Sequence, residues 1–199
     1  MAPRLSIKGK GIIKPGLWAL KSYRNRLPAQ LVPRKTSLKD MAAFDHSYYQ
    51  GLLVEIGNLK QFATFIPNQD KNKLFLNRKL GEVSSLTVFY SFTYDHILNK
   101  ARTIDVTWFN ERKMPEMFFE VEHSTDMNNS LLKYSELRDF YSKFFIVASG
   151  IREREFQSKL SVNAFSPIKS RTAFMSYEKV SEWHSETFKI TGIEKGFGF

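Results

Sequence analysis

Residues 116–126 read EMFFEVEHSTD, an apolar run into which two glutamates, Glu120 and Glu122, are set. Period-2 alternation among aromatic and β-branched residues is a strand signal. Successive strand side chains point to opposite faces, so the two glutamates share one face about 7 Å apart, while Phe119 and Val121 take the other. Upstream, TIDVTWFN (103–110) reads as a second strand, and the charged ERKMP (111–115) as the turn between them. Strands paired through that turn lie about 4.8 Å apart, which lets Asp105, opposed in face to Ile104 and Val106, look toward both glutamates. Three crowded carboxylates repel and raise one another's pKa. A divalent cation relieves that repulsion, and hard oxygen ligands suit Mg²⁺ or Mn²⁺. Such an ion holds a phosphate oxygen and lowers the pKa of an attacking water. The competing reading is a solvent-facing strand side whose acids pair with Arg102, Arg112 or Lys113. The apolar residues around EVE speak for an interior strand instead.

Outward from this hairpin the chain alternates helix and strand signals. HSYYQGLLVEIGNLKQF (46–62) has apolar residues at helical spacing and reads as the first core helix. FATFIP (62–67) is a short strand stopped at Pro67, and residues 68–86 form a polar, turn-rich excursion. YDHILNKAR (94–102) is a short helix. DMNNSLLKYSELRDFYSK (126–143) is an amphipathic helix with Asp126 as a plausible N-cap. FFIVAS (144–149) is all apolar, the mark of a strand buried on both faces. Helix, strand and helix follow at 152–165, 171–176 and 177–188, and the tail KGFGF reads as loose. This order predicts an α/β fold, a mixed central β-sheet flanked by helices, with an opening meander and a later crossover.

At 199 residues, one domain with an attached arm is expected, the arm over 1–40 and the α/β domain over 41–199. Hydrophobic content of 42%, with 18 Phe, supplies a large core, and the absence of cysteine excludes disulfides, thiol nucleophiles and thiolate zinc sites. No apolar run approaches the roughly 20 residues of a membrane span, and no signal peptide is evident, so a cytoplasmic protein is expected. Net charge is +10. Residues 1–40 hold ten Lys or Arg against one acid, Asp40, so nearly all the excess sits in the arm. That favours a polyanionic partner, with Lys8, Lys10, Lys14, Lys21, Arg24 and Arg26 as backbone contacts, although a solubilising or ribosome-associated tail would carry the same charge. LWALKSYRNRL (17–27) could form a short basic helix ending at Pro28.

The pattern IDVTWF, a turn, FFEVEHSTD, and a helix containing NSLLKYSEL resembles the PD-(D/E)xK nuclease superfamily, the fold of many restriction and DNA-repair nucleases. The resemblance also takes in YYQGLLVEIGNL and FATFIP, and so covers roughly residues 46–150. It implies that Asp105 matches the family's aspartate, Glu120 the first acidic position of the (D/E)xK element, and Glu55 an acidic residue that several branches add to the metal site. Glu122 stands where the family usually has lysine. Either Glu122 then acts as base or further ligand, or a cation arrives from elsewhere, with Lys133 and Arg138 on the following helix as candidates. On an amphipathic helix both are also the kind of charge that simply faces water. Strand alternation turns His123 away from Glu122, so a hydrogen-bonded core histidine is expected there. His46, His96 and His184 show no metal-ligand spacing.

These readings imply a metal-dependent deoxyribonuclease using Mg²⁺, or Mn²⁺, on DNA, of restriction or defence type, with a homodimer as the usual arrangement in such enzymes. The alternative is an inactive nucleic-acid-binding protein on the same fold. A third reading is a basic RNA- or ribosome-associated protein whose EVE acids are merely surface.

Overall fold

The computed structural model describes residues 10–14, 17–20, 38–123 and 126–196. Strands β1 (Lys10–Lys14) and β2 (Leu17–Leu20) pair antiparallel. This corrects the helix expected from residue 17. Two short apolar runs flanking Pro15-Gly16 are a hairpin pattern, and that outweighs helical spacing. Helix α1 then runs over Leu38–Leu59, starting earlier than the apolar spacing from residue 46 implies.

The central sheet has five strands in the order β3-β6-β7-β8-β9. They are β3 (Ala63–Phe65), β6 (Val106–Phe109), β7 (Pro115–Glu122), β8 (Lys143–Ala148) and β9 (Thr172–Ser176). The first three form the expected antiparallel meander, and β8 and β9 add in parallel through helical crossovers. Between β3 and β6 the excursion forms a small hairpin, β4 (Leu74–Phe75) with β5 (Arg78–Lys79), then α2 (Leu80–Val83) and α3 (Asp95–Ala101). The crossovers are α4 (Met127–Ser135), followed after β8 by α5 (Glu153–Leu160) and α6 (Ser166–Lys169), and α7 (Tyr177–Gly196) closes the described chain. The α/β class with a mixed sheet between helices is as the sequence implies. Among the described residues no helix is long and apolar enough to cross a membrane.

Side-chain alternation divides the core into two layers. Val106, Trp108, Phe119, Val121 and Val147 face α1 and α7, while Phe109, Phe118, Phe144 and Ile146 face α3, α4 and α5. The β6–β7 turn is organised by Asn110, whose side-chain oxygen accepts from the backbone N–H of Arg112 and Met114 at 3.1 Å each. Lys113 there takes the left-handed conformation, φ 60°. Gly51 lets α1 approach the excursion, because a Cβ at that position would lie 2.1 Å from the Phe75 ring.

Candidate active site

The strand alternation of β7 places Glu120 and Glu122 on the α4 side, near the strand's carboxyl end. Both are buried, 4% and 5% exposed, and Asp105 is 8% exposed. That rules out the solvent-facing alternative. Of its suggested partners, Arg102 bonds Asn99 and Lys113 lies over the Tyr90 ring.

Asp105 sits just before β6. Val106 opposes Phe119, so the register carries Asp105 toward Glu120. Alternation does not extend upstream of it, since Ile104 packs on the α4 side. One oxygen of Asp105, Oδ2, accepts the backbone N–H of Val121 at 2.7 Å, which ties the aspartate to the strand that carries the glutamates.

Helix α4 supplies the other half. Asp126 caps it as expected, accepting from the Asn128 N–H at 3.0 Å. Met127, Ser130, Leu131 and Tyr134 turn inward at helical spacing. As the connector of two parallel strands, α4 runs back against β7, so the earlier helix residue meets the later strand residue. Ser130 donates to Glu122 Oε1, and Lys133 Nζ lies 2.6 Å from Glu120 Oε1. Three helix residues rise about 4.5 Å and two strand residues span about 6.6 Å. The long lysine side chain covers the difference. Its Nζ also donates to the Thr103 carbonyl at 3.2 Å. The helix ends at Ser135 rather than near 142, and a run of turns follows.

Burial pushes the Glu120 carboxyl well above its ordinary range, Asp105 adds to the effect, and Lys133 opposes it. Burial also raises Glu122, against the hydrogen bond from Ser130. Tyr134, fully buried beneath the acids, is raised by burial and by their negative charge. A carboxyl held above its ordinary 4.5 keeps a proton in the folded chain that the unfolded chain releases. The stability this contributes is complete below the unfolded value and is lost as pH rises through the folded one. In EDTA, the wild-type Tm should therefore fall more steeply than that of Glu120→Gln as pH rises above the ordinary carboxylate range. Parallel melting curves would remove the buried charge as the cause.

The other sequence candidates lie elsewhere. Glu55 pairs with His184 Nε2 of α7 at 2.8 Å, on the opposite side of the sheet from Glu120 and Glu122. Arg138 is exposed in the turns after α4, 4.0 Å from Asp139. His123 is exposed beyond the end of β7, which corrects the expected core histidine, because the strand stops at Glu122 and alternation lapses there. Lys10 and Lys14 are the end residues of β1, while Lys8, Lys21, Arg24 and Arg26 lie outside the described residues.

His46, which shows no metal-ligand spacing in the sequence, and Gln50, not singled out there, also meet Asp105. His46 Nε2 lies 3.4 Å from Asp105 Oδ1 and 3.9 Å from Asp70 Oδ2. Gln50 Nε2 donates to Asp70 Oδ2 at 2.7 Å and to the Asp105 carbonyl at 3.3 Å. His46 and Gln50 are four apart on α1 and share a face. That spacing was the available signal, whereas nothing in the polar excursion marked Asp70.

The five-stranded mixed sheet, with acids buried at the carboxyl end of its middle strand, defines a restriction endonuclease-like α/β domain. Residues 26–197 match the family described as the C-terminal domain of the type II restriction enzyme NmeDI, and the chain belongs to that family. It is 24% identical over 150 residues to the type II restriction enzyme NmeDI of Neisseria meningitidis serogroup C, across 70% of this chain and 42% of that protein. The chain thus spans less than half the length of this relative. No solved structure matches it.

Proposed function

We propose that this chain is a metal-dependent deoxyribonuclease of the PD-(D/E)xK type in which Lys133, on the helix, does the work of the lysine that Glu122 replaces on the strand. The observation that carries the reading is the 2.6 Å pair between Lys133 Nζ and Glu120 Oε1, set among buried Asp105 and Glu122. A binding protein without catalysis gains nothing from buried negative charge turned toward phosphate.

The donor set fits a hard cation, since all three acids offer oxygen and their burial sets them against one another. Asp105 and Glu120 would hold Mg²⁺, which when bound withdraws charge from the phosphate and acidifies a water. Asp105 is fixed for this through its bond to the Val121 N–H, which leaves Oδ1 free of that constraint. Lys133 opposes the effect of burial on Glu120 and supplies a cation next to the reacting phosphate. Glu122 is anchored by Ser130, and its own backbone carbonyl accepts from Arg152 at 3.2 Å. The glutamate therefore serves as a fixed negative wall rather than a mobile base. The basic arm would add salt-sensitive contacts to the DNA backbone.

Purified protein incubated with supercoiled plasmid and Mg²⁺ or Mn²⁺ tests this, with EDTA as the control. Metal-dependent nicking or linearisation is expected. Lys133→Met should slow it about a hundredfold, with Lys133→Arg losing less. A plasmid left intact under every condition, while still bound, would replace the nuclease reading with the binding one.

A further inference from the structure

Beside the carboxylates of β7, on the α1 side of Asp105, lies a second group of ligand atoms. One atom each of His46, Asp70 and Asp105 lie within 4.8 Å of one another. Donors around a small divalent ion at about 2.1 Å stand roughly 3 to 4.2 Å apart. The two separations from His46, 3.4 and 3.9 Å, already fall in that range.

Gln50 supplies an independent indication. It is fully buried, and its amide N–H group is committed to Asp70 and to the Asp105 carbonyl. Flipping the amide would set its oxygen against the Asp70 carboxylate, so the assignment is fixed by chemistry. Its Oε1 has no hydrogen-bond partner among the described residues. An orphaned buried acceptor carries a desolvation cost of about 1–3 kcal/mol. The groups gathered here are mostly acceptors, two carboxylates, a carbonyl and an imidazole nitrogen, and a divalent ion would satisfy them together. Lys73 neutralises Asp70 Oδ1 at 2.6 Å, but it is 41% exposed and on the solvent side, so it can swing away when an ion enters.

We propose that His46, Asp70 and Asp105, braced by the Gln50 amide, form a second divalent-cation site that shares Asp105 with the Glu120 site. The imidazole makes it a mixed nitrogen and oxygen site, suited to Mn²⁺ or Co²⁺ more than to Mg²⁺. Its role in cleavage rests on the nuclease reading, but its ion binding does not.

The full chain titrated with Mn²⁺ and followed by pulsed EPR reads the site directly. A nitrogen hyperfine coupling to Mn²⁺ is expected in the wild type and in Glu120→Gln, and it should vanish in His46→Gln. Asp70→Asn should weaken Mn²⁺ binding, measured calorimetrically, at least about tenfold. If His46→Gln fails to fold, as seen by circular dichroism, the Asp70→Asn affinity decides alone. Mn²⁺ bound without nitrogen coupling, coupling that survives His46→Gln, or affinity unchanged in Asp70→Asn would overturn the proposal. Plasmid cleavage alongside any of these would leave the nuclease reading standing, and nitrogen coupling without cleavage would do the reverse.

Discussion

Asp105→Asn is expected to abolish Mg²⁺-dependent DNA cleavage, by roughly a thousandfold or more, while leaving the fold intact. The amide oxygen of asparagine can still accept the Val121 N–H that Asp105 Oδ2 accepts at 2.7 Å, so the strand end keeps its bond. What disappears is a charge. Several kcal/mol of transition-state stabilisation is the usual contribution of a catalytic ion, and each 1.4 kcal/mol is a factor of ten in rate. The folded protein should not be weakened in EDTA, because removing Asp105's charge also relieves Glu120, whose carboxyl that charge pushes up. Plasmid nicking rates beside a thermal melt separate the two effects. Nicking at the wild-type rate would take Asp105 out of the chemistry.

Trp108→Ala should cost the most stability. The indole is fully buried, stacked on Phe62 with ring centroids 5.3 Å apart and in contact with Phe119 at 4.8 Å and Trp183 at 5.5 Å. It thereby joins the sheet to α7. Its N–H has no acceptor among the described residues, so the loss is one of packing and not of a hydrogen bond. Deleting such a ring costs about 3–5 kcal/mol, a large part of the roughly 5–15 kcal/mol that holds a domain folded. Urea unfolding should show the midpoint fall accordingly. A loss below about 1 kcal/mol would mean that the α1 and α7 side collapses to fill the space.

The sequence was most informative where one period governed the outcome. The alternation in FFEVE assigned Phe119 and Val121 to one layer and the glutamates to the other, and the all-apolar FFIVAS marked the strand at the sheet's interior. Lys133 was within reach because a helix returning from β7 must pass over the strand's acids. Glu55 shows where periodicity alone fell short. At 3.6 residues per turn, nine residues of helix turn through about 900°, which puts Glu55 about half a turn from His46. Since α1 directs His46 at Asp105, Glu55 must point away, and it meets His184. Only the packing of α1 could have decided which side faced the acids. Asp70 was illegible for a different reason: it comes from an excursion without repeating pattern, and Gln50 and Lys73 fix its position from outside.

The wide separation of these residues along the chain has a kinetic consequence. His46 and Asp70 precede the hairpin that carries Asp105 and Glu120, and Lys133 arrives only with the crossover to β8. Contacts of such long range form late, because closing each loop costs entropy before any contact rewards it. A ribosome-bound fragment ending before residue 133 therefore lacks the cation that pairs with Glu120. On the proposed reading, a chain able to cut DNA stays inert throughout its own synthesis, and its activity appears in one step with the completed sheet.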